Sequence, residues 1–454
     1  MKQMICSIKS AAWSLLLVGL NVFPASATAI SLDEVVELAL EADARLQAET
    51  FAAEARTADG WQAVAGYGPV VSAYGSYMRS RDSTYPEKSS GLQDNVANFY
   101  EKDLYIELEQ PVIDLEKVSV ALRGVAEMEM AEIEKKKAFE GLWLRIHERY
   151  YDVLSSRQNQ ELAKRESAAL LHQLETTKEK LELGFGTITD QHNAEARYHL
   201  SLAAEVARKT ELDNARTALE EIIHQQLNEE IEDLPADTTL PDLASNLASW
   251  HEIARLNNSD LGLRQLELKM ARFTLRAAKS RFLPSLVLFA NYTENDPDGG
   301  LAGYGEESRE SAIGLKVKGT LLSGGRDTAA TVAASRRAKE AKEQVKVADR
   351  AVNRSVDSLW ESIINTRNLI AAYRLAVDAN RLAMESTQVS YDEGAKVLLD
   401  VLNAQQDYFR SLREYKTTRY DYMILLEKFK QVVGVEEVIE NNSVEKNLHQ
   451  TKKG

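Results

Sequence analysis

The chain has 454 residues, 44% of them apolar, and carries 70 acidic against 55 basic side chains for a formal net charge of −15. That length accommodates two or three ordinary domains, and an acidic chain without a basic stripe makes a poor nucleic-acid binder. Its single cysteine, Cys6, lies in what reads as a leader, so the processed chain excludes disulfides, thiol catalysis and cysteine-ligated metals.

Residues 1–29 read as an export signal. Lys2 and Lys9 form a basic start, and Ala11 to Phe23 is an apolar stretch too short to span a bilayer as a ~20-residue helix. Ala25-Ser26-Ala27 and Ala27-Thr28-Ala29 are small-x-small cleavage sites, placing the mature start at Thr28 or Ile30. The alternative is a short N-terminal core helix. No later apolar run reaches the length of a membrane helix. If the mature chain spans a membrane, it does so as a β-barrel.

Proline then maps the chain. After the leader it occurs at Pro69, Pro86, Pro111, Pro235, Pro241, Pro284 and Pro297 only. Proline breaks helices by removing a donor and clashing with the preceding turn, so the stretches from Val112 to Leu234 and after Pro297 are free to hold long helices. Phe139, Leu142, Ile146, Tyr150 and Val153 recur at helical spacing. So do Val352, Val356, Leu359, Ile363, Ile370, Tyr373 and Val377, and later Tyr422, Leu426, Phe429 and Val433. These narrow stripes suit coiled-coil packing. A helix from about Leu115 to Leu183 is predicted, roughly 100 Å long.

Between the helices the period becomes two. Leu104, Ile106 and Leu108 alternate with Tyr105, Glu107 and Glu109; Ile313, Leu315 and Val317 alternate with Gly314, Lys316 and Lys318. Gly68 to Met78 and Ser285 to Tyr292 read as two further strands. Apolar-out, polar-in alternation suits a water-filled barrel, or else soluble hairpins with one wet face. Tyr74, Tyr77, Tyr100, Tyr105, Phe289 and Tyr292 are either interfacial aromatic girdles or the product of strand propensity.

The chain also repeats. Leu32 and its helix correspond to Leu247 and its helix, Pro69 to Pro284, Gly184 to Gly394, and Asp190-Gln-His-Asn193-Ala194 to Asp400-Val-Leu-Asn403-Ala404. Each half reads helix, strand, strand, long helix, turn, helix, with a first repeat over 30–240 and a second over 241–435. Asn228 to Leu247 is the linker, and 436–454 is a polar tail expected to be disordered. Four strands are too few to close around an aqueous lumen, and an open sheet edge in lipid leaves backbone groups unsatisfied. Three copies sharing a twelve-stranded barrel solve that problem, with six helices per copy continuing it as a cylinder.

In these features the chain resembles the TolC family of outer-membrane efflux proteins, over essentially all of the mature sequence. The resemblance rests on Gly184 with Asp190, Asn193 and Ala194, and on Gly394 with Asp400, Asn403 and Ala404. Gln110-Pro111 and Ser323-Gly324-Gly325, entering the two long helices, also match. The fold implied is mainly α with a β-barrel contribution: long antiparallel helical hairpins forming a periplasmic tunnel, and four membrane strands per protomer of a homotrimer. The partners implied are a periplasmic adaptor, an inner-membrane pump and outer-membrane lipid, with no nucleic acid and no cofactor. The resemblance implies a passive export duct in efflux or type I secretion. A soluble periplasmic coiled-coil adaptor or spacer is the alternative.

The same resemblance supplies candidate sites. Leu183, Gly184, Phe185, Glu393, Gly394 and Ala395 match the periplasmic tip where an adaptor docks, although glycine at a helix end also serves left-handed capping. Asp400 matches a tunnel-constricting acidic position, followed one turn on by Asn403; capping of the helix that follows is the plainer reading of Asp400. Tyr391 and Lys396 match a closing latch whose expected partner is Asp190 in the other half of the chain, against solvated helix-end residues as the plainer reading. No catalytic constellation emerges. His192 and His199 share a helix face without further ligands, His147-Glu148 lacks the second histidine of a zinc motif, and Ser323-Gly324-Gly325 lacks the Lys-Ser/Thr of a phosphate loop.

Overall fold

A computed structural model describes residues 29–84, 95–227, 230–234, 241, 243, 246–302 and 304–435. The export signal up to residue 28, the 436–454 tail and much of the linker between the repeats lie outside the described residues. The first half comprises α1 (Leu32–Ala42), α2 (Ala44–Ala65), β1 (Val70–Thr84), β2 (Asn95–Ile113), α3 (Leu115–Glu182) and α4 (Ile188–Ile223). The second comprises α5 (Leu247–Asn257), α6 (Ser259–Ser280), β3 (Ser285–Pro297), β4 (Ser308–Lys318), α7 (Arg326–Asp392) and α8 (Leu398–Val433).

Among the described residues eight helices stand where six were expected, because the first rod of each half is broken once. At the breaks sit Asp43 and Asn258, each in an extended conformation that closes one helix and opens the next. Asp43 accepts from the Leu46 amide at 2.6 Å and Asn258 from the Leu261 amide at 2.9 Å. A short polar side chain at the N-cap satisfies an otherwise orphaned backbone donor, which makes such a residue a natural corner.

The two long helices run 68 and 67 residues, about 100 Å each at 1.5 Å per residue. α3 begins at Asp114, whose carboxylate accepts from the Lys117 amide at 2.9 Å, just after Pro111 has ended the regular pairing of β2. The sheet is antiparallel throughout in the order β1-β2-β3-β4. Below it the helices keep the same order, with α2 on α3, α3 on α6 and α6 on α7. At the first of these crossings Gly60 and Gly124 meet backbone to backbone; a Cβ on Gly124 would lie 2.5 Å from the Gly60 carbonyl oxygen. Only glycine permits that approach.

Two apolar cores repeat the duplication. One joins α1, α3 and α4 through Val35, Ile146, Tyr150, Leu154, Leu219 and Ile223. The other joins α5, α7 and α8 through Trp250, Val356, Ile363, Tyr422, Phe429 and Val433. The segment between the halves is fastened to the first core. Ile30 bridges Ile231, and Asp233 accepts from Gln158 at 2.8 Å and Tyr420 at 2.7 Å while Arg157 stands 3.2 Å from its carboxylate. Burial, then the bond to Asp233, push the Tyr420 hydroxyl well above its ordinary pKa, so it remains a donor.

Candidate functional site: the two faces of the sheet and the helical tip

The pairing register sorts the strand residues onto two faces, since directly opposed residues share a side. One face carries Val71 and Ala73 of β1, Leu104, Ile106 and Leu108 of β2, Leu286, Leu288, Ala290 and Tyr292 of β3, and Ile313, Leu315 and Val317 of β4. Ile313 is 77% exposed and Val317 71%, so the face is uncovered within one chain. Toward the distal end this apolar band gives way to paired charges, Lys102 with Asp296 at 3.1 Å and Arg309 with Glu294 at 3.2 Å.

The other face is polar. Glu101, Asp103, Tyr105, Glu107 and Glu109 of β2 stand beside Ser76, Asn291, Thr293 and Asn295. Asp103 accepts from Ser76 at 2.7 Å and Asn295 at 2.6 Å. Lys316 and Lys318 of β4 pair with Glu109, Lys318 at 3.0 Å. The aromatic residues divide between the faces. Tyr77 and Tyr100 stack at 5.5 Å on the apolar side, where Tyr292 also lies, while Tyr74, Tyr105 and Phe289 fall on the polar side. A girdle made of all six is therefore not what the register produces.

At the opposite end of the molecule the turns after α3 and α7 are built alike. Gly184 has φ 80° and Gly394 φ 77°. The Phe185 amide reaches back to the Lys180 carbonyl at 2.8 Å, and the Ala395 amide to the Ser390 carbonyl at 2.8 Å. Each pattern is a Schellman cap, which satisfies orphan carbonyls and requires a left-handed residue. Leu183 and Phe185 project from the first turn, 72% and 85% exposed. Glu393 is the C-cap of α7, and Ala395 is exposed beside it.

Asp400 lies in the first turn of α8, whose N-cap is Val397 with no side-chain cap bond. Its carboxylate does no capping and instead stands 3.7 Å from Lys396. Asp190 occupies the matching place in α4 and accepts from the Thr187 hydroxyl at 2.7 Å. Among the described residues no hydrogen bond or ion pair joins Asp190 to Tyr391 or Lys396 in one chain. Tyr391 packs on the apolar cluster of Leu170, Leu174, Ala194, Leu398 and Leu402.

The hairpins are joined at the tip by residues that sequence reading did not single out. Lys180 of α3 lies 4.2 Å from the centre of the Tyr391 ring and 3.3 Å from Asp392. A hydrogen bond from Gln388, with the Lys180 contact added, holds the Asp392 carboxyl below its usual range. Arg197 of α4 donates to Gln406 at 2.7 Å and to Asn403 at 3.0 Å on α8. The candidate Asn403 is thus engaged from the other half of the chain. Nothing local could have revealed these pairs, because each partner lies more than two hundred residues away.

No helix among the described residues is long and apolar enough to cross a membrane, and no group of histidine, cysteine or carboxylate side chains there has the arrangement of a metal site. The architecture is that of a helical-hairpin protomer carrying an amphipathic four-stranded sheet. The family model described as "Outer membrane efflux protein" matches residues 35–223 and 250–435. Outer membrane protein TolC of Vibrio cholerae is 31% identical over 301 residues, 65% of this chain and 68% of that protein. Proteases secretion protein PrtF of Dickeya chrysanthemi is 27% identical over 420 residues, 90% of this chain and 89% of its own length. The crystal structure of the outer membrane protein VceC from Vibrio cholerae superposes with a TM-score of 0.77 at 16% identity, over 89% of this chain and 96% of that one. The open state of the Neisseria gonorrhoeae MtrE outer membrane channel gives 0.72 at 18% identity, covering 89% of each chain. The chain belongs to the outer membrane efflux protein family. It is an outer-membrane channel protein, and its family and fold are those of channels rather than enzymes.

Proposed function

We propose that this chain is one third of a passive export duct, serving tripartite efflux or type I secretion. The observation that carries this reading is the sheet. It has one apolar face, one charged face and two unpaired edges, on β1 and β4. In lipid each unsatisfied backbone group costs several kcal/mol, so the edges must meet those of other copies. Three copies give twelve strands and a closed ring by cyclic symmetry. The apolar face then meets lipid, and the face of Glu107, Glu109, Lys316 and Lys318 lines the lumen. The helices α2, α3, α6 and α7, which follow the strand order, extend the wall into the periplasm. Relatives named for protease secretion, such as PrtF, support secretion as one use of the duct.

At the far end, Asp400 and Asn403 line the tunnel entrance. The exposed Leu183 and Phe185, with Gly184 and the Glu393-Gly394-Ala395 turn, form the surface on which a periplasmic adaptor docks. Asp190 with Tyr391 and Lys396 acts as a latch between neighbouring copies in the assembled ring; within one copy Lys180 and Arg197 hold the hairpins together. Opening requires an adaptor and an inner-membrane pump, which supplies the energy. Purified protein is expected to run as a heat-modifiable trimer and to conduct ions in planar bilayers, with Asp400→Ala weakening block by multivalent cations. A detergent-free soluble monomer in the periplasmic fraction would overturn the reading in favour of a coiled-coil adaptor or spacer.

A further inference from the structure

Arg197 sits on α4 between Ala194, which is fully buried against α8, and the exposed Leu200. Its guanidinium bonds two neutral amides, Asn403 at 3.0 Å and Gln406 at 2.7 Å, and among the described residues no carboxylate lies within ion-pair distance of it. The neighbouring carboxylates are already engaged. Asp400 faces Lys396 at 3.7 Å, Asp407 faces Arg410 at 3.7 Å, and Asp190 accepts from Thr187 at 2.7 Å. On α8 the buried side is Leu398, Leu402 and Phe409, whereas Asn403 and Gln406 lie on the exposed side. The two amides therefore hold a full positive charge over the exposed face of α8, one turn beyond Asp400.

We propose that Arg197 is a specificity-determining residue of this channel, setting an entrance that admits solutes bearing carboxylate or phosphate groups instead of selecting cations. The proposal rests on the reading that Asp400 and Asn403 line the entrance. In the closed ring, three guanidinium groups stand one turn inward of three Asp400–Lys396 pairs. Fixed charge at a constriction favours counter-ions and disfavours co-ions. Arginine is suited to this task because it keeps its charge at every accessible pH and its planar fork is held by two acceptors at once.

The test is the reversal potential of the full-length channel in a planar bilayer under a potassium chloride gradient, which reports selectivity independently of how often the channel opens. Arg197→Gln should raise the potassium-to-chloride permeability ratio at least ~tenfold, because one unit charge ~6 Å from a passing ion in a water-like medium favours one sign and disfavours the other by about threefold each. It should also strengthen block by hexaamminecobalt. Arg197→Lys keeps the charge and should keep the wild-type ratio. A wild-type reversal potential in Arg197→Gln overturns the proposal. The variant Asp400→Asn separates that outcome from failure of the entrance reading. If it shifts the ratio toward chloride while Arg197→Gln does nothing, only the role of Arg197 is lost; if neither variant moves the ratio, both readings fall.

Discussion

Two adjacent residues of β4 carry a sharp test of the lipid-facing assignment. Ile313 lies on the apolar face, paired with Ala290, and is 77% exposed; Ala312 lies on the polar face, paired with Asn291 and close to Glu310. A lysine at 313 would be presented to hydrocarbon. On the lipid face of a barrel such a charge costs ~2–4 kcal/mol near the midplane, which lowers the equilibrium for membrane assembly ~30- to ~900-fold per copy at 1.36 kcal/mol per decade. The cost recurs in every copy that shares the barrel. A lysine at 312 would enter an aqueous, acid-rich lumen, where surface-type electrostatics are worth only ~0–1 kcal/mol. The assay is the fraction of heat-modifiable oligomer recovered from the outer membrane, with total expression as the control. Ile313→Lys should nearly abolish that fraction, and Ala312→Lys should leave it close to wild type. Equal recovery of the two variants, or loss confined to Ala312→Lys, would refute the assignment of faces.

Other outcomes follow from individual contacts. Asp233→Ala removes the acceptor shared by Tyr420, Gln158 and Arg157, so limited proteolysis should cut near residues 230–234 faster while the sheet and tip remain protected; an unchanged cleavage rate would show that the segment is not held there. Gly124→Ala places a Cβ 2.5 Å from the Gly60 carbonyl and should destabilise by ~1–3 kcal/mol through helix displacement. Gly184→Ala meets no atom within 4 Å and strains only the left-handed φ of 80°, at ~1–2 kcal/mol. Equal melting temperatures for wild type and Gly124→Ala would remove the close-crossing argument. Burial depresses the pKa of His147 below its ordinary 6.5. The unfolded chain therefore takes up a proton as pH falls through that value while the folded chain does not, and stability is lost toward lower pH. The melting temperature should fall less between pH 7.5 and 5.5 in His147→Gln than in wild type; parallel curves would count against this.

The large architecture was legible because it is written in local chemistry. Two proline-free stretches allowed the long rods, and α3 ends at Glu182, within a residue of the predicted Leu183. The strand regions were placed correctly but read short. β1 runs to Thr84 and β3 to Pro297, past the predicted Met78 and Tyr292. Their distal ends carry Arg79, Arg81, Glu294 and Asp296, which break an apolar alternation because they extend beyond the apolar band. The corner in the first rod of each half was not visible, because a lone aspartate or asparagine such as Asp43 or Asn258 is compatible with a helix interior and with a cap alike; only their extended backbone reveals it. The Gly184 and Gly394 turns were visible as helix ends, and both caps are present. The tip contacts were not visible. Arg197 and Lys180 look like solvated helix residues until folding brings α8 and α7 beside them. Asp233 likewise belonged to a stretch that composition marked only as a linker.

The central claim is that separate copies pool their strands, and cysteine cross-linking between the two free edges tests it most directly. Cys6 is the only native cysteine, so pairs introduced on β1 at Tyr74, Gly75 or Ser76 and on β4 at Gly314 report on those edges alone. Oxidation of the membrane-embedded protein should give, for at least one pair in register, a covalent ladder that stops at three chains on a denaturing gel. Only monomers for every pair, or a ladder running past three, would contradict the account.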